Sequence, residues 1–299
     1  MRAFIVGGTE LMGPSLVDEL EMAGHEALCF NRRGRHPREG TSIKGDRNDA
    51  GRLRGAILDS KPDVVIDMIP YTEEQAIAHG EIIEEVKCPL LACSSIDVYQ
   101  AYNILHRIDS PPYQTCPLKE SNALRTALSI EGKKYDKLNV ERVYLSLGVD
   151  VTIFRLPAIY GWPDTRRTKL FVDPMLKGEE VKMSEALARW RFSRAFNRNC
   201  AYAISLGLDR SGKRVYNVAE RTPHTHKEWC EKIGNHLNWN GEIVYDNEIG
   251  KEADLGQDWF VDTEAIRQEL GFDEKYDCDA GLREAIDKYV ESERMIFGG

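Results

Sequence analysis

Gly7-Gly8-Thr9-Glu10-Leu11-Met12-Gly13 is the stretch of this chain best suited to chemistry on a charged ligand, because its residue types and spacing fit a diphosphate. The run before it, Ala3-Phe4-Ile5-Val6, is short and apolar and reads as a buried strand. Met12, Leu16, Leu20 and Ala23 follow at helical spacing, which gives the next segment one buried face. A strand, a glycine turn and a helix start present free backbone N–H groups to phosphate oxygens, and Gly7 supplies the tight turn. Cofactor contacts are therefore expected along Gly7, Thr9, Glu10, Leu11 and Met12. Glu10 stands where the spacing wants a second glycine, so its carboxylate must point away from the phosphates or weaken the site.

The end of the second strand selects the dinucleotide. NAD wants Asp or Glu there, roughly 20 residues past the glycines, to bond the ribose hydroxyls. Asn31 takes that place here, followed by Arg32 and Arg33. Without a carboxylate, and with two guanidiniums beside it, a 2′-phosphate is welcomed by charge and bidentate geometry. NADP is favoured over NAD. Asp46, after the third strand, is a candidate for the adenine amino group.

These residues need a scaffold, and the first half of the chain alternates strand and helix patterns. Strands are expected at Glu26 to Phe30, Ser42 to Lys44, Asp63 to Met68, Pro89 to Cys93 and Val151 to Arg155. A capping-box pattern at Thr72-Glu73-Glu74-Gln75 opens a helix to about Val86, and another helix is expected from about Lys133 to Leu147. Continuous apolar strands alternating with helices imply a parallel sheet covered on both faces, with ligands at the carboxyl ends of its strands. Met68 and Ile69, at such an end, join the cofactor set. After Gly161 the rhythm changes: a helix at Asn199 to Leu208 and a strand at Arg214 to Val218 return to the main sheet. A capping box at Thr225 to Glu228 and two helices, Asp262 to Leu270 and Ala280 to Glu293, complete a smaller lobe. The expectation is an α/β doubly wound parallel sheet over 1–161, joined by 195–220, with a C-terminal α/β lobe over 162–299 making a cleft.

Composition narrows the function. With 42% hydrophobic and 30% charged residues the 299-residue chain is ordinary for a soluble globular protein, and no apolar run approaches membrane length. Seven cysteines without C-x-x-C pairs fit a reducing cytoplasm and neither a disulfide framework nor a zinc site. The formal net charge of −9 argues against DNA or RNA as the main partner. His224 and His226 sit just before a capped helix with no acidic or cysteine partner nearby, so no metal is expected.

Three segments together resemble the extended short-chain dehydrogenase/reductases, the group of sugar-nucleotide epimerases and dehydratases. They are the glycine turn, Cys93-Ser94-Ser95-Ile96-Asp97-Val98-Tyr99, and Arg155-Leu156-Pro157-Ala158-Ile159-Tyr160-Gly161. The resemblance implies an NAD(P)-dependent Rossmann-like fold, Ser95 beside the reacting oxygen, and Pro157 and Ile159 along the nicotinamide. It also implies a small-molecule substrate and a homodimer face on the helices flanking strands four and five. The family's catalytic pair is a tyrosine four residues before a lysine on one helix, where the ammonium lowers the phenol's pKa. Lys137 matches the lysine, but Lys133 occupies the tyrosine's place. Tyr135 is two residues from Lys137, about 200° around an ideal helix. Three explanations compete. A bulge or late helix start brings Tyr135 into place; Lys133, Tyr99 or Tyr113 serves instead; or the fold keeps its cofactor without redox chemistry.

The reading that follows is hydride transfer on a small polar or sugar-nucleotide substrate. Ser95, Tyr135 and Lys137 are its catalytic residues, with Ser95, Tyr99, Arg189 and Arg191 toward the substrate. The rival reading is an NADP(H) sensor or RNA-binding protein without turnover; the altered turn and helix resemble those of the chloroplast stem-loop RNA-binding branch of that family, which implies such a non-redox role.

Overall fold

The structure is a computed structural model and describes residues 1–164 and 166–297. Its centre is a seven-stranded, wholly parallel sheet. The first strand, β1 (Arg2–Val6), feeds through the glycine turn into α1 (Gly13–Met22), then β2 (Glu26–Asn31) and β3 (Ser42–Lys44). Next come α2 (Ala50–Ser60), β4 (Val64–Asp67), α3 (Glu73–Val86), β5 (Leu90–Ser95) and a short α4 (Gln100–Leu105). A long connection leads to α5 (Lys137–Ser146), β6 (Val151–Leu156) and β7 (Ala158–Tyr160). The remainder is α6 (Arg166–Leu176), β8 (Val181–Met183), α7 (Glu185–Arg189), β9 (Arg194–Phe196), α8 (Asn197–Ser205), β10 (Lys213–Asn217), α9 (His226–Leu237), β11 (Ile243–Tyr245), α10 (Glu264–Leu270) and α11 (Cys278–Phe297).

The strand order is β10-β6-β5-β4-β1-β2-β3, so the direction of winding reverses between β1 and β4. Both strand ends open there into one crevice, the place where such sheets bind ligands. Alternation along β1 serves both faces. Ala3 and Ile5 pack with Leu16, Leu20, Ala201 and Ile204 beneath α1 and α8, while Phe4 and Val6 pack with Ile57, Ile83 and Val140 beneath α2, α3 and α5. Burying each Leu or Ile side chain contributes roughly 1.5–3 kcal/mol. Ala23 departs from the expected stripe: it caps α1 and is exposed, because the helix ends at Met22.

A third cluster, including Phe171, Met183, Trp229, Ile233, Ile286 and Tyr289, forms the core beneath α6, α9 and α11. Thr225 closes a complete capping box with Glu228 at the start of α9. At Thr72 the box is half made: Thr72 Oγ1 accepts from Gln75 N at 3.2 Å, while the Gln75 side chain accepts instead from Tyr71 N at 3.0 Å. The stretch through α8 and β10 leaves the third cluster and packs on the main sheet, α8 against α1 and β10 beside β6. No helix among the described residues is long and apolar enough to cross a membrane.

Candidate active site

The crevice at β1 and β4 is a cleft of about 730 Å³. The glycine turn forms one wall. Gly7 has φ +110° and its N–H donates to Phe30 O at 2.9 Å, a backbone that residues with a Cβ rarely adopt. A Cβ on Gly13 would stand 2.2 Å from the Gly8 carbonyl carbon, so α1 rests directly on the turn. Thr9, Glu10, Leu11 and Met12 line the cleft. The Glu10 carboxylate meets the Arg33 guanidinium at 2.8 Å, and both residues line the cleft. Both side chains are about two-thirds exposed, so this pair is worth only about 0–1 kcal/mol and yields readily to a competing anion.

Asn31 builds the basic loop. Its Oδ1 accepts from Arg33 N at 3.1 Å and Arg35 N at 3.2 Å, and its Nδ2 donates to Arg35 O at 2.8 Å. That amide is bonded within the loop while Asn31 lines the cleft, with Arg32 and Arg33 exposed beside it. Asp46 lines the cleft while accepting from Asn48 N at 2.9 Å, and the next residue, Arg47, reaches the buried Asp67 at the end of β4. Met68 and Ile69, directly after β4, close the floor, and Pro157 and Ile159, after β6, also line the cleft.

At the inner end of the cleft stand Ser95, Tyr135 and Lys137. The expected helix from Lys133 is not continuous. Gly132–Lys134 is a separate 3₁₀ turn, Tyr135 is extended at φ −147° and ψ 85°, and α5 begins at Lys137 with Asp136 as its N-cap. The late start removes the 200° objection, since Tyr135 lies outside the helix. Its ring centroid is 5.3 Å from Lys137 Nζ and 5.7 Å from the ring of Tyr71. Lys137 is buried and donates to Pro70 O at 2.9 Å and Cys93 O at 3.1 Å. Burial draws its pKa down to about 8. Burial also raises the Tyr135 phenol, with the Asp97 carboxylate adding to the effect and the Ser95 hydroxyl opposing it. Asp97 itself is pushed up to about 7 by burial, against the charges of Arg125 and Lys137. The arrangement offers a hydroxyl, a phenol and a cation on one wall, the set needed to hold an oxygen and move its proton.

Three expected substrate residues lie elsewhere. Tyr99 is fully buried, donates to Asn217 Oδ1 at 2.7 Å and accepts from Arg155 Nη1 at 2.9 Å. It belongs to a structural network completed by the Arg155–Glu141 ion pair at 2.8 Å. Arg189 ends the short helix α7, exposed and 3.4 Å from Glu185, and Arg191 donates from its backbone to Asp258 at 3.0 Å. Neither arginine lines the cleft. Among the alternative proton carriers, Lys133 is exposed in the 3₁₀ turn and Tyr113 is bound to Asp254 at 3.0 Å.

Arg47, Tyr71, Gln75, Arg166 and Arg167 also line the cleft without having been singled out in the sequence. Arg166 and Arg167 open α6, where two cations oppose the helix dipole. Asp164, just before the helix, pairs with both of them.

A model of the NAD dependent epimerase/dehydratase family matches residues 3–219. The chain is 23% identical over 291 residues to 2′-dehydrokanamycin reductase of Streptomyces kanamyceticus, spanning 93% of this chain and 77% of that protein. Its fold is similar to UDP-glucose 4-epimerase from Thermotoga maritima, solved with UDP-glucose, at 15% identity and a TM-score of 0.78 over 98% of this chain and 100% of that one. It is likewise similar to dTDP-glucose 4,6-dehydratase from Bacillus anthracis, solved with NAD, at 17% identity and a TM-score of 0.77 over 98% of each chain.

Proposed function

The chain belongs to the NAD dependent epimerase/dehydratase family, and from that premise we propose that it is an NADP-preferring enzyme acting by hydride transfer at a hydroxyl or carbonyl carbon of a small polar, sugar-like substrate. The observation that carries the reading is the convergence of Ser95, Tyr135 and Lys137 on the cleft that the glycine turn and Arg32–Arg33 open at its other end. The residues fit a phosphorylated dinucleotide: Gly13 admits no Cβ beside the turn, β2 ends on Asn31 in place of an Asp or Glu, and two exposed guanidiniums follow it, one of them paired with Glu10. The bound nicotinamide supplies or accepts the hydride. Ser95 holds the reacting oxygen, Tyr135 gives or takes its proton, and Lys137 orients the ribose and places positive charge behind the phenol. The 2′-dehydrokanamycin reductase and the sugar-nucleotide enzymes named above support a carbonyl on a sugar ring as the reacting group. Family membership weighs for turnover and against the RNA-binding reading.

Calorimetric titration tests the cofactor half. NADPH is expected to bind at micromolar concentration and at least about tenfold more tightly than NADH, one charge-assisted contact's worth. Arg33→Ala should erase that preference, whereas Glu10→Gln, which frees Arg33 from its carboxylate, should strengthen NADPH binding. Equal affinities for the two cofactors would overturn NADP preference, and no binding of either would overturn the enzyme reading. NADPH consumption across a panel of ketosugars and sugar nucleotides then tests the substrate half.

A further inference from the structure

Tyr135 occupies its position without the helical turn that a tyrosine four residues before the lysine would have supplied. Something else must fix an extended residue between a 3₁₀ turn and a helix start. The local bonds are weak, since Tyr135 N donates to Gly132 O at 3.3 Å and Tyr135 O accepts from Ser129 Oγ at 3.4 Å. The strong anchor is one residue on. Asp136 N donates to Tyr71 O at 2.8 Å, and Asp136 Oδ1 accepts from Arg125 Nη2 at 2.8 Å.

Arg125 comes from the middle of the long connection between α4 and α5, yet its side chain is only 2% exposed. Its backbone N–H donates to Val98 O at 2.9 Å, in the turn that immediately follows Ser95, and its Nη1 donates to Ala127 O at 2.9 Å. One residue therefore ties the turn carrying Ser95 to the cap carrying Tyr135 and Lys137. A buried guanidinium bonded to a buried carboxylate is held by charge and by direction together, and the charge of Arg125 is also felt by the buried Asp97 carboxylate beside Ser95.

We propose that Arg125 is a positioning residue, whose buried pair with Asp136 holds Tyr135 beside Ser95 and Lys137 in place of the missing helical register. The role assigned to Tyr135 rests on the hydride-transfer reading, but its placement is testable without a substrate. Fluorotyrosine incorporation gives each of the 12 tyrosines a ring signal, and Tyr135→Phe identifies the one from Tyr135. Asp136→Asn keeps a good N-cap but removes the charge, and Arg125→Met removes the other partner while preserving most of the volume.

In both variants the Tyr135 signal should move toward that of free tyrosine, while the signals of the buried Tyr99 and Tyr144 stay in place. With any substrate that consumes NADPH, turnover at saturating cofactor should fall about a hundredfold, the cost of a misplaced reacting group. Arg125→Lys, which retains charge but cannot reach Ala127 and Asp136 together, should give an intermediate shift. A folded Asp136→Asn protein with its Tyr135 signal unmoved would overturn the proposal. If Arg125→Met does not fold, the Asp136→Asn result decides alone. Failure of the unsubstituted protein to bind NADPH would sink the cofactor reading and leave the Tyr135 shift to be judged on its own.

Discussion

Tyr135→Phe is expected to lower turnover by about 10²–10⁴-fold, the range of a lost general acid or base, while NADPH affinity and thermal stability stay unchanged. Tyr135 lines the cleft and its ring packs against Tyr71, a contact that Phe keeps, so removing one oxygen should leave the fold intact. Tyr113→Phe and Lys133→Ala serve as controls, because Tyr113 is spent on Asp254 and Lys133 faces solvent, and both should retain nearly full turnover. If either control, rather than Tyr135→Phe, abolishes turnover, the proton is carried by a different group. The pH profile adds an independent check. Lys137, drawn down to about 8 by burial, is an ammonium below that pH and neutral above it. Turnover that depends on its charge should therefore fall as pH rises through about 8, and a flat profile across that range would remove Lys137 from the mechanism.

Much of the scaffold was legible because it rests on local pattern. The apolar run at β1, the turn glycines and the Thr225 cap are satisfied within a few residues, and the structure keeps them. The position of Tyr135 is harder to read, because a helix unbroken from Lys133 and one that starts at Lys137 place it in different phases. The signal was present: Asp136 is a good N-cap residue, and its carboxylate accepts from Asn139 N. Tyr99, Arg189 and Arg191 lie away from the cleft for a different reason. Nothing local says whether a polar side chain turns to a cleft or to a partner far along the chain, and Tyr99 finds Asn217, 118 residues away. The pairing of Asp67 with Arg47 is equally invisible, although Arg47 directly follows Asp46, the residue that was singled out.

Asp67→Ala is expected to cost about 3–5 kcal/mol, because it strips the counter-charge from a buried guanidinium. Asp67 is completely buried at the end of β4 and accepts from Arg47 Nη1 and Nη2 at 2.7 and 2.8 Å, His79 Nδ1 at 2.9 Å and the Tyr144 hydroxyl at 2.6 Å. It also accepts from Ile69 N at 3.1 Å, so the same carboxylate shapes the cleft floor. Such a loss is a large share of the ~5–15 kcal/mol available to a folded domain, and it should appear in urea unfolding as a lower midpoint with an unchanged slope. Acid should expose the same group. Burial by itself would raise the carboxyl, but the charge of Arg47 and the bond from His79 outweigh it and hold Asp67 well below its ordinary value. The unfolded chain therefore takes up this proton first as pH falls. The contribution is complete above the ordinary carboxylate pKa of about 3.9 and is lost as pH drops through that value toward the depressed one. The unsubstituted protein should lose stability over that window faster than Asp67→Ala does, so the gap between them narrows. A gap that stays constant with pH, or a loss at neutral pH below about 1 kcal/mol, would mean that Arg47 finds another partner and that the cleft floor does not depend on this pair.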